Sequence, residues 1–220
     1  MRNITIAAAA TVGVLIFTAQ GHAQAPVALV EDVRGSSAGV EFMDYVAAGR
    51  IIRLKSQDSL VLGYLKSCWS EAITGGTVTV GSEQSDVQGG NVKRTKVMCD
   101  GGRIELTAKQ ANQSAGTSFR ASDDALTLYG LSPVIEANGG AALLVVRLDQ
   151  PGEYHAISLP EKKGRQRSHF DFVTAKKTLT AGGTYRASIG ARQIVFKIDP
   201  NARPGRIPII SRLLRFGSAS

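Results

Sequence analysis

The chain has 220 residues and a formal net charge of +8, from 26 Lys and Arg against 18 Asp and Glu, with two cysteines and three histidines. Beyond a short leader, its length allows one large or two small domains, each able to bury a core. With so few histidines, no Gly-x-Ser-x-Gly elbow and no His/Cys/Asp cluster at ligand spacing, neither a Ser-His-Asp triad nor a metal or other cofactor site is expected.

The first 23 residues have the three parts of a secretory signal: a charge at Arg2, an apolar run from Ile4 to Ala19, and small residues through Gln20 to Ala25. The run is diluted by Thr5, Thr11, Gly13 and Thr18 and is shorter than the roughly 20 residues that span a bilayer. Gly21-His22-Ala23 and Ala23-Gln24-Ala25 both offer a cut site, and Pro26 would follow the second directly. Because proline restricts the backbone there, cleavage is expected after Ala23, leaving no transmembrane span in the mature chain.

Residues 27–33 alternate as a strand and end in the turn-prone Gly35-Ser36-Ser37-Ala38-Gly39. Gly49 precedes a strand at Ile51–Leu54, and Ser56–Ser59 separates it from a second, Leu60–Leu65, apolar on both faces as a central strand is. Thr77–Val80 alternates strictly, Gly81–Gly90 is hydrophilic and expected as a surface loop, and Val92–Cys99 and Arg103–Thr107 form a hairpin around Asp100-Gly101-Gly102. Cys68 and Cys99, exported together, are expected to form a disulfide: neither belongs to a Cys-x-x-Cys pair and no histidine lies nearby.

Residues 108–122 are small and polar and mark the linker. Six strand-length segments follow, at 125–129, 141–148, 153–159, 169–173, 184–189 and 193–198, a spacing that suggests a β-sandwich. The stretch Leu179–Tyr185 resembles the corner that opens a late strand in immunoglobulin-like sandwiches, where a tyrosine hydroxyl bonds back to the upstream backbone; an ordinary turn with a core tyrosine is the alternative. The tail, 207–216, mixes apolar and basic residues. It suits either a short amphipathic turn on a membrane or partner, or packing on its own domain with Arg212 and Arg215 facing water.

The fold expected is therefore all-β: a cleaved signal at 1–23, a disulfide-bonded β domain at 24–115, and a basic β-sandwich with a short tail at 116–220. Lys and Arg balance Asp and Glu at ten each over 24–115, but outnumber them fifteen to eight over 116–220. A basic half attracts anionic partners, and export to the periplasm or beyond makes nucleic acid an unsuitable one.

The Val-rich opening strand, Gly49 before Ile51-Ile52-Arg53-Leu54, and Asp58-Ser59-Leu60-Val61-Leu62 together resemble the FecR-type periplasmic β module over about residues 27–90. Arg50 stands where that family often has an acidic residue, and Ser67-Cys68-Trp69-Ser70-Glu71 where it has an Asp-Gly turn. The resemblance implies a non-catalytic envelope module that contacts another protein or a cell-wall component.

Two sets of residues are candidate binding sites. Trp69 and Glu71 beside Cys68 make either a recognition patch with an aromatic anchor or core packing around the disulfide with Glu71 at the surface. Lys162, Lys163, Arg165 and Arg167 make a basic segment suited to an anionic envelope polymer. His155 and His169 are expected to be structural. The function expected is a non-enzymatic exported binding or adaptor module; the alternatives are a motif-less hydrolase using carboxylates such as Glu71 and Asp58 as acid and base, or a purely structural envelope component.

Overall fold

The computed structural model describes residues 25–100, 125–138, 142–159 and 167–216. The leader, the strand at 103–107, the linker at 108–122 and the boundary at 115/116 lie outside those residues. Among the described residues the chain is all-β, with several sheets and no α-helix.

Six strands, β1 (Pro26–Arg34), β2 (Tyr45–Ala47), β3 (Ile51–Tyr64), β4 (Trp69–Val80), β5 (Ser85–Gln88) and β6 (Asn91–Lys96), form one antiparallel sheet. They run in the order β2-β1-β3-β4, and β5 and β6 pair with successive halves of the outer side of β4. Alternation sends Ile52, Leu54, Leu60, Leu62 and Tyr64 from β3, and Ile73, Val78 and Val80 from β4, into one core.

The two strands expected at 51–54 and 60–65 are a single one. Between Leu54↔Gly76 and Ser59↔Thr74 the register shifts, so the polar residues 55–58 form a bulge and the strand continues. Opposite the bulge, Gly75 and Gly76 have φ of 65° and 85°, and a Cβ on Gly76 would stand 2.5 Å from the Gln88 carbonyl oxygen. Only glycine fits this bend. The expected loop at 81–90 likewise contains a strand, β5, because Ser85 and Val87 turn inward against the core while their neighbours stay in water. Cys68 and Cys99 are joined in a disulfide, with Cα atoms 5.7 Å apart.

The second half holds β7 (Leu126–Gly130), β8 (Val134–Asn138), β9 (Ala142–Arg147), β10 (Tyr154–Ser158), β11 (Arg167–Asp171), β12 (Thr184–Ile189), β13 (Arg192–Arg203) and β14 (Leu213–Arg215). One sheet runs β10-β9-β12-β13-β7 and the other β11-β8-β14. Both contribute to a single core, with Val145, Tyr185, Ala187 and Phe196 from the first and Ile135, Ala137 and Leu214 from the second. Strand β8 was not expected from the sequence, since Glu136 interrupts its short apolar run. Pairing is antiparallel except for β13 with β7 and β14 with β8, which are parallel. At the corner before β12, the Tyr185 hydroxyl accepts the Thr180 N–H (2.8 Å) and donates to Glu153 Oε1 (2.9 Å), which is the back-bonded arrangement and not the ordinary turn.

A third apolar cluster joins the two halves. Leu29 and Leu65 from the first pack with Val134, Ile209, Ile210 and Leu213 from the second. The tail therefore packs between the halves, as a 3-10 turn at Ile209–Ser211 followed by β14. Arg212 and Arg215 do not face water: they are 2% and 8% exposed. Arg212 holds Asp171 through Nη1 at 2.7 Å and also donates to the carbonyls of Ser132 and Ile207. Arg215 lies 4.1 Å above the Tyr45 ring and 4.0 Å from Glu136 Oε1. Buried guanidinium groups persist when each finds a carboxylate or carbonyl partner, and these do.

Candidate functional site

The segment between β1 and β3 is shaped by turn chemistry. Met43 and Gly39 adopt positive φ, and the Asp44 carboxylate accepts the Glu41 N–H at 2.7 Å, closing a local turn. Hydrogen bonds from Val30 N–H to the Asp44 carbonyl (2.8 Å) and from Met43 N–H to the Val30 carbonyl (2.9 Å) pin this turn to β1. At its far end, Gly49 and Arg50 exchange hydrogen bonds with Val80, tying it to β4.

Between these anchors lies an open groove of about 790 Å³, lined by residues 39–40 and 44–50. Its side chains include one carboxylate (Asp44), one guanidinium (Arg50) and one phenol (Tyr45). Arg50 bridges towards the Gly39 carbonyl at 3.3 Å. Tyr45 extends from the groove into the seam, where its hydroxyl donates to Glu136 Oε2 at 2.5 Å beneath Arg215. The groove wall is thus fixed by contacts from both halves of the molecule. Adjacent charges of both signs beside exposed backbone suit an extended polar chain better than a compact apolar ligand.

The residues singled out from the sequence lie elsewhere. Trp69 is half-buried on the first core, with Lys96 Nζ 5.2 Å from its ring centre. Glu71 is fully buried rather than at the surface. Its carboxylate accepts the Ser85 N–H at 3.1 Å and Arg94 Nε at 2.7 Å, while Arg94 Nη2 donates to the Ser85 carbonyl at 2.6 Å. Tyr64 completes this cluster, with its hydroxyl 2.8 Å from Ser85 Oγ; burial, with the Glu71 charge adding to it, pushes that hydroxyl up to about 12. Trp69 and Glu71 lie two positions apart on β4, and the Glu71 carboxylate points into a strand-to-strand clamp.

Asp58 sits at the bulge of β3 and accepts hydrogen bonds from the Ser37 hydroxyl and the Lys55 N–H. It and Glu71 therefore serve separate sets of partners. Lys162, Lys163 and Arg165 lie outside the described residues, and Arg167 is placed only by its backbone, paired with Asn138 at the start of β11. His155 packs edge-on against Phe172 at 5.6 Å, and burial lowers its pKa. His169 meets Phe42 of the first half across 5.4 Å.

The groove residues Asp44 and Tyr45, and the clamp residues Ser85 and Arg94, carried no signal in the sequence, and Arg50 was marked only as a departure from the FecR-type pattern. Glu71 and Arg94 become neighbours only through the register of β4 with β6, and 22 residues separate them along the chain. Comparison of the chain with protein-family models, with curated proteins and with solved structures finds no match.

Proposed function

We propose that this chain is an exported, non-enzymatic binding or adaptor module of the cell envelope, with a FecR-like domain at 24–115 followed by a basic immunoglobulin-like sandwich at 116–220. The observation that carries this reading is the groove at residues 39–50, hydrogen-bonded to the first sheet and the seam and lined by Asp44, Tyr45 and Arg50 among others. A preformed wall of this kind lowers the ordering cost of receiving an extended segment of another molecule. The Cys68–Cys99 bridge supports the envelope location, because structural disulfides persist in oxidising compartments. The partner is an envelope protein or an anionic envelope polymer.

The test is photo-crosslinking of the full chain in intact cells, with the reactive amino acid at Ala48 in the groove and, as control, at Lys197 on the second half. A defined protein captured from position 48 alone supports an adaptor, and cell-wall polymer captured there supports polymer binding. Equal capture from both positions, or none from position 48, overturns the groove as the binding site.

A further inference from the structure

Among the described residues, the sheets of this protein end in strands that differ in one respect. Strand β6 carries Lys93, Arg94 and Lys96, β5 carries Asp86, β11 carries Arg167 and Asp171, β2 is only three residues long, and β14 is buried. Charge, shortness and burial are the usual devices that keep sheet edges from pairing with other chains. At the β7 end, the Thr127 N–H is already taken by the Asp100 carboxylate at 3.3 Å. Strand β10, with the sequence Tyr154-His155-Ala156-Ile157-Ser158, ends its sheet with neither a charged residue nor a proline.

The backbone of β10 has a definite polarity. The Arg147 N–H donates to the Glu153 carbonyl at 3.0 Å, and His155 and Ile157 lie opposite Val145 and Leu143 in the same register. In an antiparallel ladder the hydrogen-bonded pairs recur every second residue, so 153, 155 and 157 bond to β9. The N–H and C=O groups of Tyr154, Ala156 and Ser158 therefore point away from the sheet. On the same outer face, Tyr154 is 68% exposed and Leu144, which pairs with Ala156, is 40% exposed.

We propose that β10 is a dimerisation edge that pairs antiparallel with β10 of a second copy of this chain, about a two-fold axis at Ala156. In that register Ala156 faces Ala156, and Tyr154 faces Ser158 in both directions. All three outward-pointing residues then fall in hydrogen-bonded pairs. The exposed Tyr154 ring gains the small Ser158 and Ala156 of the other copy as neighbours. The occupant is a second copy because this strand meets itself without any like-charge pair, whereas β6 set against its own copy would bring three cations against three. The interface is isologous, so it uses up the edge in each copy and closes at two.

The test measures the mass of the chain from Gln24 in solution by light scattering, for wild type, Ala156→Lys and Ala156→Pro, with circular dichroism to verify the fold. Wild type is expected at twice the chain mass, and both variants at once the chain mass: one sets like charges at the axis, the other removes an outward N–H that β9 does not use. Independently of those variants, Ala156→Cys is expected to form a covalent dimer on mild oxidation, and Ser158→Cys is not, since position 158 faces 154. A monomeric wild type, a dimer that survives both substitutions with the fold intact, or crosslinking at 158 equal to that at 156 overturns the proposal.

Discussion

At Glu71 a carboxylate with no exposure is held by one guanidinium and one backbone N–H, and Arg94 ties the same strand through the Ser85 carbonyl. Removing the carboxylate leaves the buried Ser85 N–H without its acceptor and Arg94 without its counter-charge. Because Arg94 is about one-third exposed, part of its loss is recovered from water, and Glu71→Ala is expected to cost about 2–3 kcal/mol. Glu71→Gln keeps an acceptor and is expected to cost less. Urea unfolding of both variants checks this, and an Ala variant within about 0.5 kcal/mol of wild type would show that the clamp adds nothing. The sequence placed Glu71 beside Trp69 and Cys68 but gave no means of knowing that its side chain points inward. Strand parity fixes only which residues share a face, and whether a carboxylate is tolerated on the inner one depends on a partner supplied by another strand.

At the scale of elements, β3 and β4 show what alternation reveals and what it hides. The apolar positions of residues 60–65 and 77–80 identified strands correctly, since a period of two is a property of the chain itself. The polar stretch at 55–58 looked like an ending and is a bulge, because the partner strand bends with it at Gly75 and Gly76. Near the other end of β4, the Cys68–Cys99 bridge closes a loop over a sequence separation of 31 residues and so fastens the chain just after β6 to the turn between β3 and β4. Limiting the unfolded chain in this way contributes about 3–4 kcal/mol in the loop-entropy description. Cys68→Ser is accordingly expected to lower the urea midpoint of the chain from Gln24 and to abolish the effect of a reductant on it. A wild-type midpoint that does not respond to reductant would contradict this.

At the scale of the whole molecule the two halves meet in a seam, and its most exposed vulnerability is a titration. Glu31 of β1 accepts the Ile210 N–H of the tail at 2.7 Å, and Gly63 leaves room for that contact, since a Cβ there would stand 2.6 Å from both Glu31 Oε1 and Ile210 Cγ2. Burial raises the Glu31 carboxyl from 4.5 to about 7, against the smaller opposing pulls of the Ile210 N–H and the Arg212 charge. A carboxyl raised by folding binds its proton more tightly in the folded state. Its contribution is complete below about pH 4.5 and is lost as pH rises through about 7. Between pH 5 and pH 8 that loss amounts to about 2–3 kcal/mol, and Glu31→Gln is expected to remove it. Unfolding free energies of both proteins at the two pH values give the difference directly, and equal pH slopes would refute the assignment.

The sequence by itself determined the β class, most strand positions, the cysteine pair and the concentration of positive charge in the second half. All of these follow from local periodicity, turn chemistry or counting. Tertiary structure alone decided which charged residues are hidden. Arg212 and Arg215 belong to a tail whose composition suits an exposed basic turn, yet both are buried, because Asp171 and Glu136 of the second half and Tyr45 of the first meet them there. The groove beside Tyr45 has the same origin. Its lining is a single stretch, residues 39–40 and 44–50, but the anchors that set its shape, Val30, Val80 and Glu136, are distant in the chain, and no local pattern records them.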